Sequence, residues 1–222
     1  MSSNMGSSTS SPSPARHELR STPVRERRGG IVLYLKQYVR APGQIGAVAP
    51  SSTELSDRLI ETIDFATCKS LIEYGPGPGN VTARILLRLR PETNFFAIEA
   101  NPEMCEVFRH KFPNVKLFEG SAAKVADYLH QLGMVPDGSV DAIVSGLPWA
   151  AFGQTLQKSI LEATLRVLKP GGQLTTFAYH HGVLLPAGQR FAKTLPQYFS
   201  SVSRSRGVLW NLPPAFVYRC VK

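Results

Sequence analysis

The chain has 222 residues, 43% of them hydrophobic and 18% charged, with a formal net charge of +9; this length and balance fit one soluble α/β domain plus a tail. No run of eighteen or more apolar residues exists, which excludes a membrane-spanning helix, and the polar N-terminus lacks the apolar core of a signal peptide. Cys68, Cys105 and Cys220 are odd in number, far apart and without metal-ligand spacing, so they read as reduced, mostly buried thiols of a cytosolic protein, and no metal site is expected.

Residues 1–23 are rich in Ser and Pro, hold almost no large apolar side chain and are expected to be a disordered tail. The first fifteen residues carry no basic side chain, which argues against an organelle transit peptide. Residues 1–40 hold seven Arg/Lys against two Glu. That imbalance points to an anionic partner, either a phosphate backbone or anionic lipid head groups, beside the plainer reading of a solvated basic tail. Within it, Ile31, Leu33, Tyr34, Leu35, Tyr38 and Val39 are interleaved with Arg25, Arg27, Arg28, Lys36 and Arg40. This predicts a basic amphipathic helix over 24–40 that lies on an anionic membrane surface or folds back as a lid. Residues 41–52 read as a loop over a ligand pocket, and Ser51 with Glu54 as a capping box opening a helix to about Asp64. Residues 24–66 are thus expected to form the helix, lid loop and helix that precede a ligand-binding domain over 67–222.

That domain begins with a short apolar run, Leu71 and Ile72, ending in Glu73 and a loop with glycine at every second position (Gly75, Gly77, Gly79). Strand, glycine loop and helix bring bare backbone N–H groups and a helix N-terminus against a ligand, and Pro76 and Pro78 stiffen the loop. Asn80 is placed to cap the next helix, whose Val81, Ile85, Leu86 and Leu89 share a face. A second strand, Asn94–Glu99, ends in an acid about twenty residues beyond the loop, where a carboxylate can accept two hydrogen bonds from a ribose diol. Asn101, Pro102 and Glu103 then open a helix that buries Met104, Val107 and Phe108. Strands follow at 115–118 and 140–144, a helix over 154–168, and a fifth strand over 173–179; residues 207–209 and 216–221 read as edge strands. The alternation predicts a doubly wound, mostly parallel sheet.

The spacing is not that of a dinucleotide fingerprint. The glycine loop and the two strand-end acids resemble the first two motifs of the class I S-adenosyl-L-methionine (SAM) methyltransferases. That resemblance implies a Rossmann-like, seven-stranded sheet with an antiparallel last strand and SAM as cofactor. More particular stretches are Gly46-Ala-Val-Ala-Pro-Ser-Ser52, Ala97-Ile-Glu-Ala-Asn-Pro102, Ser145-Gly-Leu-Pro-Trp149 and Pro170-Gly-Gly172. With the glycine loop they are similar, in order over about 31–222, to the soluble bacterial phospholipid N-methyltransferases. The similarity implies methylation of phosphatidylethanolamine at a membrane surface. It also implies cofactor contacts at Glu73, Gly75, Gly77 and Glu99, with Gly79, Ala100, Ser121 and Ser145 beside them. Two positions depart from the family pattern: Ser121 replaces an Asp that reaches the adenine amine, and Pro78 replaces a common Thr.

Methyl transfer from a sulfonium asks the protein mainly to align nucleophile, methyl and sulfur and to exclude water. Glu73 is the candidate for the methionine ammonium. The turn after the fourth strand (Ser145, Leu147, Trp149) is the candidate acceptor site, with carbonyls to aim an amine and π faces on Trp149 and Phe152. Tyr179, His180 and His181 end the fifth strand beside it; any of the three is a candidate to take the amine proton, with Tyr179 preferred, and adjacent His residues cannot both point inward. Three other readings stand beside phospholipid methylation. One is a soluble natural-product or peptide acceptor. Another is RNA adenine methylation, disfavoured because the chain ends soon after its last strand. The last is a SAM-fold protein that only binds. The expected location is the cytoplasm, peripheral to a membrane.

Overall fold

The computed structural model describes residues 52–222. The expected tail, amphipathic helix and lid loop (1–51), with Ser51, lie outside the described residues. Within them, seven strands and six helices alternate: α1 (Thr53–Ile60), β1 (Ser70–Tyr74), α2 (Asn80–Leu86), β2 (Asn94–Glu99), α3 (Pro102–Lys111), β3 (Lys116–Glu119), α4 (Val125–Gln131), β4 (Val140–Ser145), α5 (Gln154–Val167), β5 (Leu168–Tyr179), α6 (Pro186–Tyr198), β6 (Ser201–Arg204) and β7 (Ala215–Val221). The strand order is β3-β2-β1-β4-β5-β7-β6, and only β7 runs against its neighbours. This is the doubly wound, Rossmann-like sheet that the sequence implied.

Side chains alternate along each strand, so each face of the sheet has its own core. Ile72, Tyr74, Ile143 and Leu174 pack with Leu129, Ile160 and Phe191 on one side. Leu71, Ala142 and Val144 pack with Leu55, Leu59, Val81 and Ile85 on the other. Order reverses between β1 and β4, which leaves a crevice at their carboxyl ends, where ligands of open α/β sheets bind.

Several local expectations need correction. Ser52, not Ser51, caps α1 by accepting from Leu55 N (3.2 Å). Gly79 rather than Asn80 occupies the cap of α2, because the chain turns there at φ +83°, a conformation glycine adopts without strain. Asn101 caps α3 as expected, but Val107 is exposed and Cys105 takes its place beside Phe108; Leu86 is likewise exposed. The Lys169–Gly172 stretch does not precede β5. It forms a bulge within it, shifting the register from Val140↔Leu168 to Ala142↔Gln173. Residues 207–209 supply only a bridge from Val208 to Ala215, and the edge strand is β6. Helix α6, absent from the sequence reading, packs Phe191 and Leu195 into the core.

Candidate active site

The loops after β1, β3 and β4 are each tied through the backbone to the end of the neighbouring strand. Gly75 N donates to Ile98 O (2.8 Å), Gly120 N to Glu99 O (2.7 Å) and Gly146 N to Tyr74 O (2.8 Å). Close approach is what makes Gly146 obligatory: a Cβ there would fall 2.5 Å from Gly75 O. Gly75, Gly77 and Gly79 all hold positive φ. Beyond Gly77 there is open space, so the loop presents bare backbone at the crevice; Gly79 is roofed by the Phe112 ring, 2.1 Å from where a Cβ would sit.

Two carboxylates lie under this loop. Glu99 is 5% exposed; its Oε1 accepts from Asn101 N (2.9 Å) and its Oε2 from Gly77 N (3.2 Å). Glu73 is 1% exposed and accepts from Thr82 Oγ1 (2.6 Å). Burial pushes the Glu73 carboxyl up to about 8; the Thr82 hydroxyl pulls it down and the nearby Glu99 charge adds to the rise. Burial also raises Glu99, against the lowering by backbone N–H groups of Asn101, Gly77 and Ala100. Among the described residues no Lys, Arg or His pairs with either acid. Two buried carboxylates without a cation are costly, and a ligand carrying positive charge relieves them. Asn101 Nδ2, next to Glu99, is also buried without a partner, while its Oδ1 accepts from Glu103 N. Half-buried Ala100 follows Glu99, and Ser121 accepts from Ala123 N (3.3 Å), starting the turn after β3. SAM fits such a cradle: its ribose diol, ammonium and sulfonium match the two buried acids.

The other half of the crevice is apolar. A cavity of about 170 Å³ at the ends of β4 and β5 is lined by Leu147, Trp149, Phe177, Tyr179, His181 and Phe191, among others. Leu147 joins it to the glycine loop, since its Cδ2 lies 2.8 Å from the Cβ position of Gly75. Ser145 is fully buried and its hydroxyl accepts from Leu147 N (3.3 Å) and Trp149 Nε1 (3.1 Å); Trp149 Nε1 also donates to Thr176 Oγ1 (3.0 Å). Ser145 therefore positions the indole, and Phe191 stacks on one indole face at 5.0 Å. The two histidines, in the turn after β5, part. His181 stacks on Tyr179 (5.6 Å, 13°) at the cavity, whereas His180 packs against Phe216. Thr82, Thr176 and Phe191 escaped the sequence reading. Only Thr82, on the turn facing Glu73, carried a local signal.

A glycine cradle over two buried acids at the switch point, joined to an apolar cavity after β4, defines a class I SAM-dependent methyltransferase. Residues 71–172 match the family described as a methyltransferase domain. The chain is 29% identical over 194 residues to an ornithine lipid N-methyltransferase of Singulisphaera acidiphila, covering 85% of this chain and 94% of the relative. It is 30% identical over 128 residues to an uncharacterized methyltransferase-like protein of Schizosaccharomyces pombe, covering 58% of this chain and 45% of that one. The protein is thus related to lipid N-methyltransferases. In fold it resembles an O-methyltransferase from Bacillus cereus in complex with SAH (TM-score 0.59, 16% identity, 86% of this chain and 89% of that one). It also resembles the O-methyltransferase TomG from Streptomyces achromogenes in complex with SAM (TM-score 0.59, 17% identity, 85% and 89%).

Proposed function

We propose that this enzyme methylates the amine of a membrane lipid. The observation that carries the reading is the apolar cavity joined through Leu147 to the glycine cradle, in a chain similar along 85% of its length to an ornithine lipid N-methyltransferase. Phosphatidylethanolamine, implied by the sequence resemblance, and ornithine lipid, named for the relative, both present an amine on a head group. Bound SAM supplies the activated methyl. Glu99 holds the ribose hydroxyls, with Ala100 and Ser121 flanking the adenine, and Glu73 offsets the positive charge of the methionine end. Gly75, Gly77 and Gly79, lacking side chains, let the cofactor approach the loop backbone closely while their own N–H groups stay bonded within the protein, and Ser145 locks Trp149 so that the Leu147 turn aims the amine.

An alkylammonium has no lone pair, so it must lose a proton before it reacts. A neutral phenol is a poor proton acceptor, whereas a neutral imidazole keeps an acceptor nitrogen. His181 therefore takes the proton and Tyr179 holds it by stacking. Residues 24–40 serve as membrane contact and 41–52 as lid ahead of helix α1 and the 67–222 domain, and the protein works in the cytoplasm at a membrane surface. A soluble acceptor is a second reading, since a cavity of about 170 Å³ holds a small molecule as well as a head group.

The test is transfer of labelled methyl from SAM to phosphatidylethanolamine or ornithine lipid in mixed vesicles. Label in the organic phase for either lipid supports the reading. Intact SAM binding with label only in added soluble amines moves the acceptor to the second reading.

A further inference from the structure

The charge of this chain is polarised in a second place. Residues 163–222 contain eight Lys/Arg and no Asp or Glu. Four of these cations already have partners: Arg166 with Asp137, Lys169 with Asp141, Arg219 with Glu61, and Lys222 Nζ with the carbonyls of Leu165 and Leu168. Arg190, Lys193, Arg204 and Arg206 are exposed, and none has a carboxylate partner among the described residues. Arg204 lies over the Phe216 and Tyr218 rings (5.2 and 5.1 Å).

Five large apolar side chains are exposed on the same part of the chain: Leu184 (75%), Leu185 (57%), Leu209 (69%), Trp210 (88%) and Leu212 (73%). The sheet brings their two loops to one edge. Tyr179 pairs with Ala215, His180 N donates to Pro214 O (3.0 Å), and His180 Nε2 lies 2.8 Å from the Cβ position of Gly207. Leu185 also lines the cavity, so this edge includes the cavity wall. Single exposed leucines need no explanation, but five large apolar side chains on two adjoining loops do.

We propose that the Leu184–Leu185 turn and the Leu209–Leu212 loop form a docking wedge for an anionic lipid bilayer, which delivers the head group to the cavity. The proposal rests on the amine-lipid reading and adds a surface separate from residues 24–40. Tryptophan suits the bilayer interface, leucine the acyl boundary, and unpaired arginine the lipid phosphates. A nucleic acid would engage the arginines but leave the leucines in water. The chain's own N-terminal segment does arrive here, since Ser52 N donates to Asn211 Oδ1 (3.0 Å). Yet residues 24–40 hold five Lys/Arg against one Glu, the same sign as the wedge. Anionic lipid complements both.

The chain has two tryptophans and Trp149 is 2% exposed, so a change of emission reports Trp210. Full-length protein is mixed with phosphatidylcholine vesicles with or without phosphatidylglycerol. The expected result is a blue shift and loss of quenching by aqueous acrylamide only when phosphatidylglycerol is present. The double variant Leu209→Glu/Leu212→Glu should partition about tenfold less onto those vesicles, the change expected for losing one buried leucine or more. It should methylate vesicle lipid correspondingly more slowly, yet turn over a monomeric short-chain aminolipid at the wild-type rate. Unchanged Trp210 emission together with wild-type partition of the variant overturns the proposal. Trp210 already shielded from acrylamide without vesicles also overturns it, because the chain then covers its own wedge. Docking through Trp210 without methylation of any aminolipid leaves the surface standing and refutes the acceptor reading instead.

Discussion

The two halves of the crevice are chemically opposite. Under the loops of β1 and β2 lie two buried acids and a lattice of backbone N–H groups. At the ends of β4 and β5 lies an apolar cavity, in a stretch of chain that carries no acid after Glu162. The difference separates two tasks. A polar, cationic cofactor is held by groups fixed in the backbone, while an acceptor is desolvated and aimed by side chains brought together from distant elements.

Four perturbations should break or sharpen this division. The largest falls on the polar half. Glu99→Ala removes the acceptor of two ribose hydroxyls, each such charged hydrogen bond contributing about 1.5–3 kcal/mol, so SAM affinity should drop by about 100-fold or more by calorimetric titration. Near-unchanged affinity would remove the ribose assignment.

On the apolar half, His181→Asn should lower kcat at neutral pH by roughly 100-fold, at the low end of general-base effects, with little change in the SAM dissociation constant. The deficit should shrink as pH rises and the amine deprotonates unaided. A uniform loss at every pH would mean that His181 only packs.

Between the halves, Gly146→Ala forces a Cβ to 2.5 Å from Gly75 O and should cost about 2–3 kcal/mol in urea unfolding. Gly77→Ala meets no atom within 4 Å and carries only its φ of +53°, costing about 1–2 kcal/mol. Equal costs would show that the loops are not tied as described.

The smallest effect concerns pH. The Glu73 carboxyl is raised to about 8 in the folded state, so its contribution to stability is complete below the ordinary glutamate range and is lost as pH rises through about 8. Glu73→Gln should flatten this decline in the SAM-free protein, raising the Tm above wild type near pH 8 but not near pH 4. In the wild type, SAM binding near pH 7 should release protons, measurable as a dependence of binding heat on buffer ionisation enthalpy.

The same division explains what the sequence disclosed. Glycine loop, strand-end acids and the Asn101 cap are local patterns, and each lies where its spacing implied. The wall of the cavity is not local. Helix α6 hides behind Pro186, Gly188 and an internal Pro196, all unfavourable to a helical pattern, although Pro at the first position and in the last turn is tolerated here. Its Phe191 reaches Trp149 only through the fold. Edge strand β6, Ser201–Arg204, is polar and mostly exposed, so it lacks the apolar alternation that announces a strand. Which of two neighbouring histidines faces the cavity depended on the turn after β5, where His181 leaves extended backbone, and no local pattern in the sequence marks that turn.

The most direct test of the division is a structure of the full chain with S-adenosylhomocysteine. The account predicts the ribose hydroxyls on Glu99, the amino-acid end beside Gly75 and Glu73, and the sulfur turned toward Leu147 and the apolar cavity. A nucleoside seated in the β4–β5 cavity, or a ribose away from Glu99, would contradict it.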